Sequence, residues 1–334
     1  MSATPISRNP AYSTQLGAAY VGDSLTLLAE IPDASVNLVL TSPPFALQRQ
    51  KEYGNLAEAE YVDWLLEFGR LVHQKLREDG SFVLDLGGAY RKGIPVRSLY
   101  QFRVLLRFCD ELGFHLAQEF FWHNPSKLPS PIEWVNKRKL RAKDTVNTLW
   151  WFSRSEWPKA NVSNVLTEYS PRMKKLLEDP AAFYKPKQRP SGHEIGLAFA
   201  TDNGGAIPSN LLQIPNSESN GVYLGACKEV GISGHPARFP FKLPEFFIRL
   251  LTDPGDLVVD IFAGSNTTGM VAEAEGRRWL AFELSREYVA ASALRFVPKG
   301  LPISRLKDIY ATILRSETVS IEEEIGFQRQ LLAV

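Results

Sequence analysis

VNLVLTSPPF, Val36–Phe45, starts as an apolar run and ends in two prolines and an aromatic ring. Val36–Leu40 lacks the alternation of a half-exposed strand and reads as one buried on both faces. Its ending does not suit a plain turn, which needs one proline at most and usually carries something polar where Phe45 stands. Pro43 and Pro44 each fix φ and remove a backbone donor, while the Pro43 carbonyl stays available as an acceptor. Either the prolines simply break the strand and Phe45 fills the core, or the loop is shaped to hold something. A second stretch, more than two hundred residues further on, bears on that choice.

Around Val36–Phe45 the chain alternates strands with helices. SLTLLAEI predicts a short helix that Asp23 or Ser24 can cap. Tyr61–Leu76 has apolar residues at helical spacing and is stopped by Asp79-Gly80, and Ser81–Leu86 is a second strand. A helix over 98–112 ends at Gly113; LAQEFFWHN is a third strand and Val146–Arg154 a fourth. From about Trp157 to Arg238 the pattern breaks into short polar pieces. It resumes with a helix at Phe241–Leu251, an apolar strand at Asp256–Phe262 and a helix over 266–275. A strand in RRWLAFE and a helix at Ser285–Phe296 follow. This alternation implies a mainly parallel sheet in one α/β fold whose two halves flank an irregular insertion.

The 334 residues, 44% hydrophobic and 22% charged, suit one large soluble domain with such an insertion. A net charge of +1 excludes a uniformly basic histone-like protein and leaves room for a local basic face. Two cysteines, Cys109 and Cys227, are too few for a disulfide framework or a four-ligand zinc site, and the five histidines are scattered, so no metal is expected. No apolar run approaches the roughly 18 residues of a membrane span. The opening MSATPISRNPAYSTQ has no apolar signal core, so a reduced, cytoplasmic setting is expected.

The second stretch is DLVVDIFAGSNTTG, Asp256–Gly269. Asp260 closes its strand, Ala263-Gly264-Ser265 makes a tight turn, and Asn266 opens a helix whose free N–H groups face a crevice. Glu283 follows Asp260 by 23 residues at the end of the next strand, where a carboxylate can accept both hydroxyls of a ribose. The turn lacks the glycine pattern of a dinucleotide site and the chain has no phosphate loop. An acidic residue before the turn favours a cationic ligand bearing an amino acid, and S-adenosylmethionine fits. A strand–helix turn with no ligand is the plain alternative.

Together, TSPPF in the first half and DIFAGSNTTG in the second resemble the amino-methyltransferases of DNA, in the order of their beta-type circular arrangement. Over nearly the whole chain the likeness is strongest to the cytosine-N4 enzymes of restriction–modification systems, the PvuII-type subgroup in particular. The resemblance implies the S-adenosylmethionine-dependent methyltransferase fold, an α/β architecture with a mostly parallel twisted sheet and flanking helices, circularly permuted and carrying an inserted target-recognition region. It implies four segments: a catalytic half over 1–156, target recognition over 157–234, a cofactor-binding half over 235–300 and a C-terminal extension over 301–334. Ser42, Pro43, Pro44 and Phe45 match the catalytic quartet. Asp260, Phe262, Gly264, Ser265 and Asn266 fall in the cofactor loop, Glu283 matches the ribose-binding acid, and Asp23 the acid that meets the adenine amino group. HPARFPFKLPE, His235–Glu245, is similar to the segment beside the methionyl carboxylate, with Pro236 and Phe239 in its wall. Many relatives read HPTxKP there, which leaves Arg238 without an assigned role.

The implied activity is transfer of a methyl group to cytosine N4 in double-stranded DNA, with the base extruded and stacked on Phe45. The implied partners are DNA at a short palindrome such as CAGCTG and a cognate endonuclease that is a functional partner only; a monomer with no membrane association is expected. Carbon-5 methylation is excluded because neither cysteine follows a proline. Adenine-N6 transfer, transfer to RNA or a small molecule, and a DNA-binding protein with a dead cleft remain as alternatives. Two basic clusters suit phosphate contact or a solvated face: Lys127–Lys159, and Arg172, Lys174, Lys175, Lys185, Lys187 and Arg189 near Tyr184. Trp122 is a candidate base platform or a core residue, and His123 is read as satisfying a strand end.

Overall fold

The computed structural model describes residues 6–45, 58–91, 93–180, 201–216 and 221–323. The chain forms two compact units, Met1–Ala160 with Asn210–Val334, and Asn161–Ser209. Among the described residues the first unit is built on a ten-stranded sheet. Its strands are β1 (Tyr12–Ser13), β2 (Gly17–Val21), β3 (Val36–Thr41), β4 (Leu76–Leu86), β5 (His115–His123), β6 (Val146–Ser153), β7 (Leu211–Gln213), β8 (Leu257–Asp260), β9 (Arg278–Glu283) and β10 (Val319–Ser320), in the spatial order β10-β1-β2-β9-β8-β3-β4-β6-β5-β7. The five central strands from β2 to β4 run parallel, whereas β6 is antiparallel to both its neighbours.

Every residue of β3 and β8 is buried, which explains why neither alternates in sequence. Val39, Phe82, Leu84, Val259 and Leu280 share one apolar cluster with α1 (Ser24–Glu30), α2 (Glu58–Lys75) and α3 (Tyr100–Leu112). Leu38, Leu40, Val83 and Val258 alternate with these and are equally buried, on the face where α6 (Lys242–Leu251) crosses β3. Each large side chain so enclosed contributes about 1.5–3 kcal/mol, enough to hold the sheet as a rigid platform for its loops.

Two expectations differ from the structure. Asp79-Gly80 does not end a helix but lies inside β4, which begins at Leu76 directly after α2. The β3–β4 register jumps from Val36↔Leu76 to Leu38↔Ser81, so the polar residues 77–80 bulge out of the pairing and mimic a loop in sequence. The weakly patterned region after Trp157 is also more ordered than expected, with α4 (Pro171–Glu178), β7 and α5 (Gly221–Val230). Short strands such as β1, β7 and β10 leave no period to read. The remaining helices are α7 (Thr267–Ala274), α8 (Arg286–Ala293) and α9 (Ile303–Leu314).

In the second unit, the Ser170 hydroxyl caps α4 by accepting from Met173 N–H, Thr167 pairs with Ala206, and Tyr169 donates to Asp202. Arg172, Lys174 and Lys175 are exposed on α4, while Tyr184, Lys185, Lys187 and Arg189 lie outside the described residues. Among the described residues no helix is long and apolar enough to cross a membrane.

Candidate active site

The parallel strands deliver their motif residues to one edge of the sheet. Leu38 and Val39 of β3 stand beside Val258 and Val259 of β8, so Thr41-Ser42 and Asp260-Ile261 leave the sheet together. On the other side Thr41 pairs with Leu84, which brings Asp85 alongside Ser42. From β3 the chain moves to β4, and from β8 it moves the opposite way to β9. The gap between β3 and β8 is therefore a topological switch point, where α/β sheets open a crevice at their carboxyl ends.

A cavity of about 390 Å³ opens there. One wall runs from Phe262 to Ser265 with Thr267, another from His235 to Phe239, and Ser42, Phe45, Asp85, Trp122, Lys127 and Asp260 are among the rest of its lining. Gly264 has φ +50°, and a Cβ on it would come within 3.0 Å of the His235 ring, so a side chain there would crowd the second wall. Phe45 packs against Gly87, where a Cβ would sit 2.3 Å from the ring. Trp122 is nearly buried, donates its indole N–H to Ile214 O and meets Phe239 edge-on.

Ser42 Oγ donates to Asp85 Oδ2 at 3.1 Å, and Asn147 Nδ2 reaches the same oxygen at 3.5 Å. Asp85 is 1% exposed, and its other oxygen, Oδ1, is buried with no partner among the described residues. Burial pushes this carboxyl up to about 7, against the lowering effect of Ser42, Asn147 and the Lys127 charge. Lys127, half-buried and held below its usual range by desolvation, also lines the cavity.

Asp260 is also buried, and burial pushes it up to about 6 although Thr41, Thr268 and the Phe262 N–H all donate to it. Glu283 Oε2 accepts from Gly264 N–H and Oε1 from Ser285 N–H, each at 2.9 Å, so the carboxylate stitches the cofactor turn to its own strand end. With the Leu284 N–H as a third donor, the carboxylate still keeps one lone-pair site for a ligand. Arg295, brought down to about 10 by burial, stacks 4.2 Å over Tyr223 and donates to the Ser265 carbonyl and hydroxyl.

Of the residues expected from sequence, Ser42, Phe45, Pro236, Phe239, Asp260, Phe262, Gly264 and Ser265 line this cavity. Pro43, Pro44, Asn266, Asp23 and Glu283 are not among its lining residues. Asn266, in the left-handed region at φ +51°, accepts from Gly269 N–H and donates to Tyr12, which commits its side chain to capping α7. Asp23 is exposed and caps α1 by accepting from Leu25 N–H, while its neighbour Ser24 ties α1 to the Ile261 carbonyl. Sequence reading passed over Asp85, Asn147 and Arg295. Asp85 had a visible signal, a single carboxylate in the apolar run SFVLDL.

Residues 36–294 match the DNA methylase family. The chain belongs to that family. This DNA methylase is 64% identical to the type II methyltransferase M.PvuII of Proteus hauseri over 318 residues, 95% of each chain. Its fold superposes on the solved PvuII DNA methyltransferase, described as cytosine-N4-specific, with a TM-score of 0.79 and 56% identity over 94% of this chain and 98% of that one. It is also 26% identical, over 80% of its length and 78% of the relative's, to the DNA adenine methyltransferase YhdJ of Escherichia coli. S-adenosylmethionine is the methylase's cofactor, and the site fits it. The cavity falls within the roughly 300–1,000 Å³ of small-molecule sites, and a bare glycine turn and a helix N-terminus form one of its walls. Among the described residues no cluster could hold a metal ion.

Proposed function

We propose that this methylase modifies the exocyclic N4 of a cytosine extruded from double-stranded DNA, and that it protects a short palindrome, such as CAGCTG, from a cognate endonuclease. The Ser42–Asp85 hydrogen bond inside the cavity carries the reading. A hydroxyl has one proton and two lone pairs, so Ser42, by donating to Asp85, turns acceptor lone pairs toward an incoming amine. The Pro43 carbonyl is a second acceptor. Two acceptors out of the base plane localise a nitrogen lone pair that conjugation otherwise spreads into the ring.

When bound, S-adenosylmethionine supplies an electrophilic methyl group on a cationic sulfur. Glu283 and the Gly264–Ser265 turn would hold its polar ends, and Pro236 and Phe239 its facing side. The methylated amine carries one proton too many. Ser42 takes that proton while passing its own to Asp85, whose affinity, set near neutrality by burial, suits a proton acceptor. Phe45 offers the stacking face for the base, worth about 1–3 kcal/mol in comparable contacts.

Cytosine is favoured over adenine by Lys127, a donor on the cavity wall that matches the O2 acceptor cytosine has and adenine lacks. The deciding experiment incubates the full-length protein with labelled S-adenosylmethionine and duplex DNA, then digests the DNA to nucleosides. N4-methylcytosine is the expected product. N6-methyladenine alone would reassign the target base, and transfer to RNA without transfer to DNA would end the proposal.

A further inference from the structure

The Thr41 hydroxyl occupies the junction between the two motif loops. Its Oγ1 donates to Asp260 Oδ1 at 2.6 Å and accepts from the Phe262 N–H at 3.1 Å. Asp260 Oδ1 accepts from that same N–H, and Oδ2 takes the Thr268 hydroxyl at 2.7 Å. Thr41, Asp260 and Thr268 are each 3% exposed or less. One enclosed carboxylate thus joins the residue before Ser42, the start of the cofactor turn and the first turn of α7. Sequence reading gave Asp260 to the cofactor, yet both its oxygens are engaged by groups of the protein itself. A hydroxyl that donates and accepts at once fixes its own rotamer, so Thr41 has little freedom to let the next residue drift.

We infer that Thr41 and Asp260 form a clasp that sets Ser42 at a fixed position relative to the cofactor turn, with Thr41 a positioning residue that touches neither cofactor nor base. The clasp rests on the proposed role of Ser42 in transfer. It explains why two segments far apart in sequence meet with defined geometry at a strand junction, where backbone pairing has already ended. It also gives the threonine of TSPPF a function distinct from that of the serine beside it.

The test compares Thr41→Val, Thr41→Ser, Ser42→Ala and the Thr41→Val/Ser42→Ala double variant of the full-length protein. Methyl transfer to duplex DNA gives kcat and KM, and calorimetry gives the affinity for S-adenosylmethionine. Thr41→Val keeps shape and loses the hydroxyl; kcat should fall roughly tenfold or more, with a smaller change in cofactor affinity, and Thr41→Ser should restore most of the rate. In the double variant Thr41→Val should add about twofold at most, because Ser42 is no longer there to be positioned. Multiplying effects, or a serine variant as slow as the valine one, would overturn the clasp. A slowed Ser42→Ala beside an unaffected Thr41→Val overturns the clasp alone, whereas a fully active Ser42→Ala overturns the role of Ser42 on which it rests. Where Thr41→Val does not fold, Thr41→Cys, with a similar shape and a weak donor, gives the same comparison.

Discussion

Ser42 has one proton to give, and giving it to Asp85 decides how the residue can meet a ligand. Replacing Ser42 by alanine removes an acceptor needed when the amine becomes tetrahedral, so kcat should fall about 100-fold while cofactor affinity stays near wild type. Equal loss in both, measured by single-turnover transfer and calorimetry, would take the transfer role from it. Asp85→Asn tests the proton path and has a second readout in stability. Burial raises the Asp85 carboxyl to about 7, so between its unfolded value near 4 and that figure the folded protein holds a proton the unfolded chain has lost. Native stability therefore decreases across this window. The asparagine variant lacks that loss: it should match wild type near pH 4 and exceed it by up to about 4 kcal/mol above pH 7. Its transfer rate should nevertheless fall. Thermal melts across pH with rate measurements check both, and a variant that loses stability above pH 7 would contradict a carboxyl raised by burial.

At the scale of elements, the site exists because β3 and β8 are parallel neighbours with chain connections that diverge. Strand ends, rather than helix faces, carry the groups that matter: Thr41-Ser42, Asp260, Glu283 and Asp85. The β8–α7 turn is held on its outer side by Glu283, through Gly264 N–H, and from behind by Arg295. Glu283→Ala frees two backbone donors and loosens the turn, so affinity for S-adenosylmethionine should drop at least tenfold in a direct binding measurement. Undiminished binding would remove Glu283 from the cofactor site. Gly264→Ala places a side chain at φ +50° against the His235 ring. It should cost about 1–2 kcal/mol in stability from the backbone alone, and a loss of cofactor binding larger than the stability loss would locate the turn at the ligand.

Across the whole molecule, the near-neutral charge conceals an uneven surface. Several cations of the Lys127–Lys159 stretch are already paired, Lys137 and Arg138 with Glu133 and Lys159 with Asp253 and Asp256. The Asn161–Ser209 unit presents Arg172, Lys174 and Lys175 on one short helix. Exchanging that unit for a flexible Gly/Ser linker should leave cofactor binding intact and reduce DNA methylation at least tenfold, with a shallower dependence of DNA affinity on salt. Unchanged methylation would place target recognition elsewhere.

The legible part was periodic or chemical. Val36–Leu40 and Asp256–Phe262 declared themselves as buried strands because apolar runs between punctuating residues have few other solutions. TSPPF and DIFAGSNTTG pointed to a methyltransferase through their resemblance, in that order, to the DNA amino-methyltransferases; the residues alone indicated only a shaped loop and a glycine turn at two strand ends. The bulge in β4 hid Asp79-Gly80 inside a strand, and two- and three-residue strands such as β1 and β7 fell below any period. Asp85 stood in plain sight, but only its register beside Thr41 shows what it touches. Asp260 reads in sequence as a ligand contact and does line the cavity, but its bonds from Thr41, Thr268 and the Phe262 N–H could not be read there. Sequence by itself determined the long central strands, since buried apolar runs follow local backbone rules, and its motifs carried the family resemblance. Which carboxylate meets Ser42, and which ties the two loops together, was decided by tertiary structure alone. Hydrogen-bond partners across a sheet are set by register and burial, and neither is written in any one segment.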